Sequence, residues 1–208
     1  MRFAPESVNV RPLRCYDRLE LPADIEFASA PADIVCRGQR ASTAAAVIAV
    51  LETTAVVAEL AGIAQGAADL AVAYVKERKQ FGRAVGSFQA MKHLLADAWI
   101  DVYAVHGVAL GLARAVSDTT DPTHLLSEVQ RALSFAAPAT QRVCEAALQA
   151  HGGIGFTLDY QLNWYFNRML SRTALAGRLS ELRMVIGRDV LDSARAAAEA
   201  RTPRGARR

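Results

Sequence analysis

The rhythm of apolar and polar positions changes at about residue 40. Before that point the chain carries four of its seven prolines and two short alternating pieces, Val8-Asn9-Val10-Arg11 and Asp24-Ile25-Glu26-Phe27. These predict short strands separated by proline breaks. After it, long stretches rich in Ala, Val and Leu take over and the period becomes helical. A first helix is predicted from Ser42 to Lys79, a rod of about 57 Å with apolar residues on nearly all faces, and hence buried on several sides. A second is predicted from Ser87 to Ser117. Thr119-Thr120-Asp121-Pro122 stops it and starts a third over 122–150, where Pro138 predicts a kink. The loop Gly152-Gly153-Ile154-Gly155 leads to a fourth from about Asp159, broken near Gly177 and resumed to Ala200. Long segments with short connectors predict a mainly α fold: an antiparallel four-helix bundle preceded by a short β-strand remnant.

The stretch from Tyr74 to Gln89 is where the first two helices meet. Lys76, Arg78, Lys79 and Arg83 cluster at a helix carboxyl end, where cations complement the helix dipole. Phe81-Gly82 reads as a helix stop, Gly86 as a turn, and Ser87 as the cap of the next helix.

Composition modifies this picture in three places. The net charge of +3 comes from the tail, because residues 201–208 hold four Arg and no acid, leaving the body at −1 (3 − 4). That describes a basic disordered tail and no nucleic-acid face. Cys15, Cys36 and Cys144 are odd in number and lack Cys-x-x-Cys spacing, so they read as reduced thiols with no metal site. Pro5 and Glu6 interrupt the start where a secretion signal needs an apolar core, and Glu52, Glu59 and Asp69 interrupt the first apolar run. The expectation is a soluble, cytoplasmic protein without a membrane span. His93, His106, His124 and His151 are scattered, and only His151 adjoins a glycine turn. Trp99, Tyr103, Trp164, Tyr165 and Phe166 read as core or subunit contacts. No Gly-x-Gly-x-x-Gly or Walker pattern follows a strand, which disfavours a Rossmann cofactor and nucleotide hydrolysis.

Two motifs carry a resemblance. Arg78-Lys79-Gln80-Phe81-Gly82 followed by Phe88-Gln89, and Gln149-Ala150-His151-Gly152-Gly153-Ile154-Gly155-Phe156, together resemble the carboxyl-terminal helical domain of acyl-CoA dehydrogenases. Pro31-Ala32-Asp33-Ile34-Val35 looks like the junction with that family's middle β-domain. The resemblance implies a β-domain remnant over 1–40, the helical bundle over 41–200 and the tail over 201–208. It implies FAD as cofactor, with Arg78, Gln80, Phe81, Gln149, Gly152 and Gly153 touching the ADP portion of a flavin bound mainly by a neighbouring subunit. An Arg fork suits pyrophosphate, and glycines let backbone N–H groups approach it. It also implies an acyl-CoA substrate, electron-transfer flavoprotein as acceptor, and an oligomer, either of like subunits or with a full-length relative. The family's amino-terminal helical domain and most of its β-domain have no counterpart in these residues.

The reaction implied, α,β-desaturation of an acyl thioester, needs a carboxylate to remove the α-proton. In many members a Glu after the glycine loop does this. Here Ala176 stands at that place, with Arg178 where a flavin-contacting Thr would be. Some relatives carry the base on the first long helix, and Glu52 matches that position by its spacing from Arg78. Glu52, Glu59, Gly62, Gly66 and Asp69 also share one helical stripe, on which glycines leave room beside a carboxylate. Either Glu52 is the base or the stripe is a wet helix face, with Glu59 simply a charge on it. Three roles follow: a catalytic flavoprotein subunit, a non-catalytic partner completing FAD sites, or a cofactor-free helical interaction module.

Overall fold

The computed structural model describes residues 2–3, 8–175 and 179–201. Four short strands come first: β1 (Arg2–Phe3), β2 (Asn9–Pro12), β3 (Ala23–Glu26) and β4 (Ala32–Asp33). β2 pairs antiparallel with β3 in the register Asn9 to Glu26, and β1 pairs with β4. The loop 13–22 between β2 and β3 is closed at its base by the Leu13 N–H donating to Pro22 O at 2.8 Å.

Five helices follow: α1 (Gln39–Glu77), α2 (Gln89–Ser117), α3 (Leu126–His151), α4 (Gln161–Leu175) and α5 (Leu179–Arg201). α1 to α4 form the expected bundle, with α5 packed on α3. The boundary between α4 and α5, with Ala176, Gly177 and Arg178, lies outside the described residues; of the tail expected over 201–208, Arg201 ends α5 and the rest lies outside them as well.

The core is a seam of small residues. Val57, Ala61, Ala64, Ala68, Ala71 and Val75 recur at steps of four and three along α1, with Leu60 beside them, all buried. They face Val129, Ala136, Ala137, Ala139 and Val143 of α3, and Val102 and Val105 of α2. Alanine lets the helix axes approach closely, and buried Thr140 Oγ1 reaches across to donate to Leu60 O at 3.3 Å. Leu162 and Met169 of α4 are fully buried and close the seam. Each large side chain so buried contributes about 1.5–3 kcal/mol. Pro138 is accommodated inside α3.

Several local expectations are corrected. α1 packs against α2, α3 and α4 as expected, but its amino-terminal turns are not enclosed: Ile48 is 54 % exposed and Leu51 48 %. The reason is length, because a 39-residue helix spans about 58 Å and the 26-residue α3 about 39 Å. The amino-terminal turns of α1 therefore outrun their partners. α1 also stops at Glu77, because Lys79–Gln80 (β5) pairs with Arg83–Ala84 (β6) in a two-residue hairpin. Ser87 does not cap α2. Its hydroxyl donates backward to Ala84 O at 2.7 Å, and Phe88 occupies the cap position with no side-chain bond. Asp121, by contrast, starts the turn before α3, accepting from the Thr123 N–H at 3.0 Å.

Tyr103 at 71 % exposure and Trp164 at 46 % are not core residues. By length and composition α1 and α2 would each pass as membrane spans, so Glu52, Glu59 and Asp69 do not disqualify the first run. Both helices nonetheless pack a buried apolar face against the bundle. Cys15 and Cys36 are free and exposed, and burial pushes the Cys144 thiol up to about 12.

Gly66 shows how tightly α4 sits on α1: a Cβ there would lie 2.3 Å from Tyr165 Cε1. Over Gly62, one turn earlier, a Cβ would meet nothing within 4 Å. Gly66→Ala is therefore expected to destabilise the fold by about 1–3 kcal/mol in urea unfolding. Gly62→Ala should be neutral or stabilising by up to about 1 kcal/mol.

Candidate functional site

α1 and α3 run in the same direction, so their carboxyl ends emerge at one end of the bundle. Tyr74, in the last turn of α1, stacks on His151 at the end of α3 with ring centroids 4.5 Å apart. Tyr160 closes the other side edge-on at 5.0 Å. His151 Nδ1 lies 2.7 Å from Ala147 O, so the ring donates from Nδ1 and leaves Nε2 an acceptor. Nε2 is buried with no hydrogen-bond partner among the described residues. Burial holds His151 below its ordinary value, opposed by the bond to Ala147. Burial raises the Tyr160 phenol, with Tyr74 and Glu77 adding to the effect.

This stacked trio joins the two motifs. The β5–β6 hairpin turns on Phe81 (φ 53°) and Gly82 (φ 78°), both left-handed, as a two-residue primed turn requires. Phe81 is 91 % exposed, set edge-on to Phe88 at 6.2 Å, while the Arg83 guanidinium lies 3.9 Å over the Phe88 ring. Arg78 follows α1 directly and is exposed, and the Gln80 amide donates to Lys79 O at 2.7 Å. Across the bundle end, Gly152 (φ 64°) breaks α3, and Gly152 to Phe156 form a 3-10 turn. A Cβ on Gly152 or Gly153 would meet nothing within 4 Å, and Gln149 is exposed one turn earlier. The six residues predicted for cofactor contact thus share one end of the bundle.

Glu52 does not join them. It lies 26 positions before Arg78 on α1, about 39 Å along the rod. There it is exposed and lines a cleft of about 570 Å³ with Thr53, Ala55, Val56, Glu59, Leu133 and Arg172. It forms no ion pair or hydrogen bond among the described residues. The rest of the stripe is divided in its duties. Asp69 accepts from Gln65 at 2.9 Å, Gly66 receives the Tyr165 ring, and Gly62 opens onto a second cleft of about 450 Å³.

Glu59 is not a plain surface charge. Its Oε1 lies 2.5 Å from Arg168 Nε, and its Oε2 lies 2.6 Å from Arg172 Nε, close enough to pair though off the N–H line. Arg168 Nη1 also reaches Asp17 Oδ2 and Glu20 Oε1, each at 3.0 Å, and Arg172 Nη2 reaches Glu20 Oε1 at 2.5 Å. Ser171 Oγ donates to Glu20 as well. Burial would lower Arg168, but its bonds to Glu59 and Asp17 raise it overall. The i, i+4 placement of Arg168 and Arg172 was the only trace of this cluster in the sequence, since Asp17 and Glu20 lie about 150 positions away.

The model of the acyl-CoA dehydrogenase C-terminal domain matches residues 44–191. The chain belongs to the acyl-CoA dehydrogenase family. Acyl-CoA dehydrogenase FadE34 of Mycobacterium tuberculosis is 36 % identical over 167 residues, which cover 79 % of this chain and 22 % of that protein. Among solved structures, the ChsE4-ChsE5 complex from Mycobacterium tuberculosis is 28 % identical with a TM-score of 0.72, covering 95 % of this chain and 50 % of that one. The Tcur3481-Tcur3483 steroid acyl-CoA dehydrogenase, a G363A variant, is 26 % identical with a TM-score of 0.77, covering 90 % and 50 %. The chain thus spans half the length of these solved relatives and between 22 % and 36 % of the curated ones.

Members of the acyl-CoA dehydrogenase family are FAD-binding oxidoreductases of lipid metabolism. The end of the bundle where the two motifs meet presents an exposed guanidinium, exposed amides, an outward aromatic ring and two glycines with open backbone, a donor set that would suit such a cofactor. The face is open at the glycine turn, since no described residue comes within 4 Å of a Cβ placed on Gly152 or Gly153.

The buried His151 sets a pH dependence. Its unfolded value is 6.5 and its folded value is lower, so below about 6.5 the unfolded chain binds the extra proton. The stability it contributes is complete above that pH and is lost as pH falls toward the folded value. His151→Gln should flatten the dependence of unfolding free energy on pH between about 7 and 5 relative to the parent chain.

Proposed function

We propose that this chain is a cytoplasmic flavoprotein subunit taking part in FAD-dependent α,β-desaturation of an acyl-CoA thioester, with the walls around the flavin ring supplied by polypeptide outside these 208 residues. The observation that carries the reading is the convergence of the β5–β6 hairpin and the Gly152–Phe156 turn on one open, donor-rich face. Arg78 would hold pyrophosphate oxygens by charge-assisted bonds, Gln80 and Gln149 would offer amides, Phe81 would present a ring, and Gly152 and Gly153 would let backbone N–H groups approach. A bound FAD would supply the hydride acceptor for the β-hydrogen, with electron-transfer flavoprotein as the onward acceptor.

Glu52 is the base in this reading. It is the carboxylate of the α1 stripe that lines a cleft and makes no ion pair among the described residues, whereas both oxygens of Glu59 are engaged by arginines. A free carboxylate can accept the α-proton, and one locked between two guanidiniums has its lone pairs occupied. The substrate would be a bulky thioester, a reading supported by the likeness to the steroid-acting relative.

A second reading keeps the FAD face and removes the chemistry: a non-catalytic subunit completing sites on a full-length partner. The paired names of the two solved relatives, each joining two different proteins, favour it.

Purification of the chain alone and with a full-length partner should show oxidised-flavin absorbance only with the partner. Arg78→Ala should weaken flavin retention by about tenfold or more, the scale of a charge-assisted bond. In the flavin-loaded assembly, Glu52→Gln should lower kcat by about 10²–10⁴-fold with the flavin spectrum unchanged. Unchanged turnover would select the non-catalytic reading, and no flavin in any assembly would reject both.

A further inference from the structure

The ion-pair cluster does something neither motif requires: it fastens the β2–β3 loop to the helical bundle. Asp17 and Glu20 come from the loop, Glu59 from α1, and Arg168, Ser171 and Arg172 from one face of α4. The side chain of Asp17 is only 2 % exposed, although the strands on either side of its loop lie mostly in solvent. A buried carboxylate persists only when its oxygens are matched, and both are. Oδ2 pairs with Arg168, while Oδ1 accepts the backbone N–H of Leu19 at 2.9 Å. Leu19 in turn lines the 450 Å³ cleft opposite Gly62, Ile63, Trp164 and Tyr165, whose floor is formed by α1 and α4. One carboxylate therefore links the guanidinium on α4 to the residue that forms the outer wall of the cleft.

We propose that Arg168 is a positioning residue, which seats the 13–22 loop through Asp17 and so sets Leu19 as the wall of the cleft between α1 and α4. Arg172 supports it from the far side by holding Glu20 and Glu59. The network makes the width of this cleft depend on charge pairing and not on apolar packing of the loop, which leaves Tyr16 and Leu21 almost wholly exposed.

The loop carries its own reporters, since Arg14 and Arg18 are exposed tryptic sites. Asp17→Asn keeps the shape and the acceptor for Leu19 but removes the charge. In the full chain it should speed tryptic cleavage after Arg14 and Arg18 by at least about tenfold, with cleavage inside α1 to α4 and the helical circular dichroism unchanged. In a Trp99→Phe background it should also increase acrylamide quenching of Trp164. Arg168→Gln should match it, and the double variant should add nothing further. If Arg168→Gln fails to fold, Asp17→Asn alone decides, because it leaves Arg168 paired with Glu59 and Glu20. Cleavage within about twofold of the parent overturns the seating, and faster cleavage with unchanged Trp164 quenching overturns the role of Leu19 as wall.

Discussion

The close approach of α1 and α3 is the constraint on which the other features rest. It depends on alanine: the buried positions of the two helices are mostly Ala and Val, and Thr140 bonds to the α1 backbone at Leu60. Interiors packed this closely transmit position well, because no neighbour can move without opening a void. The seam holds the two helices parallel and in a fixed longitudinal register. That register brings Tyr74 level with His151, and hence the hairpin level with the glycine turn. A slip of one helical turn would separate them by about 5.4 Å and dissolve the shared face.

Much of this was legible in the sequence, and the limits of legibility are physical. Helix existence was readable because apolar period is a local property, and the 122–125 turn was readable because Asp121 and Pro122 act within a few residues. The two strands near residues 8–11 and 24–27 were readable from local alternation, whereas their pairing with each other was not. Exposure along α1 was not readable, since it depends on the lengths of other helices. The hairpin at 79–84 was hidden because Phe81 takes a left-handed conformation that its residue type disfavours. The ion-pair cluster was invisible for the opposite reason: each member is an ordinary charged residue, and only the fold brings Asp17 to Arg168.

The candidate site divides along the same lines. The residues of the two motifs come together at one end of the bundle, while the α1 stripe separates into Glu52 with no polar partner among the described residues, Glu59 paired with two arginines, Asp69 bonded to Gln65, and two glycines in unlike surroundings. Glu52 and Glu59 are two turns apart on one helix, yet α4 distinguishes them through the reach of Arg168 and Arg172. What a carboxylate on a helix can do is decided by the helix that faces it.

Phe81 bears on how such a chain responds to improvement. On stability alone the position is badly filled, with a bulky residue at φ 53° and a ring 91 % in water. Left-handed backbone costs an L-residue about 1–2 kcal/mol, and glycine would avoid both penalties. Any procedure that ranks substitutions by folding free energy would remove this ring early. In doing so it would erase an outward ring whose place in the proposed cofactor face such a ranking cannot register, because it scores only the isolated chain.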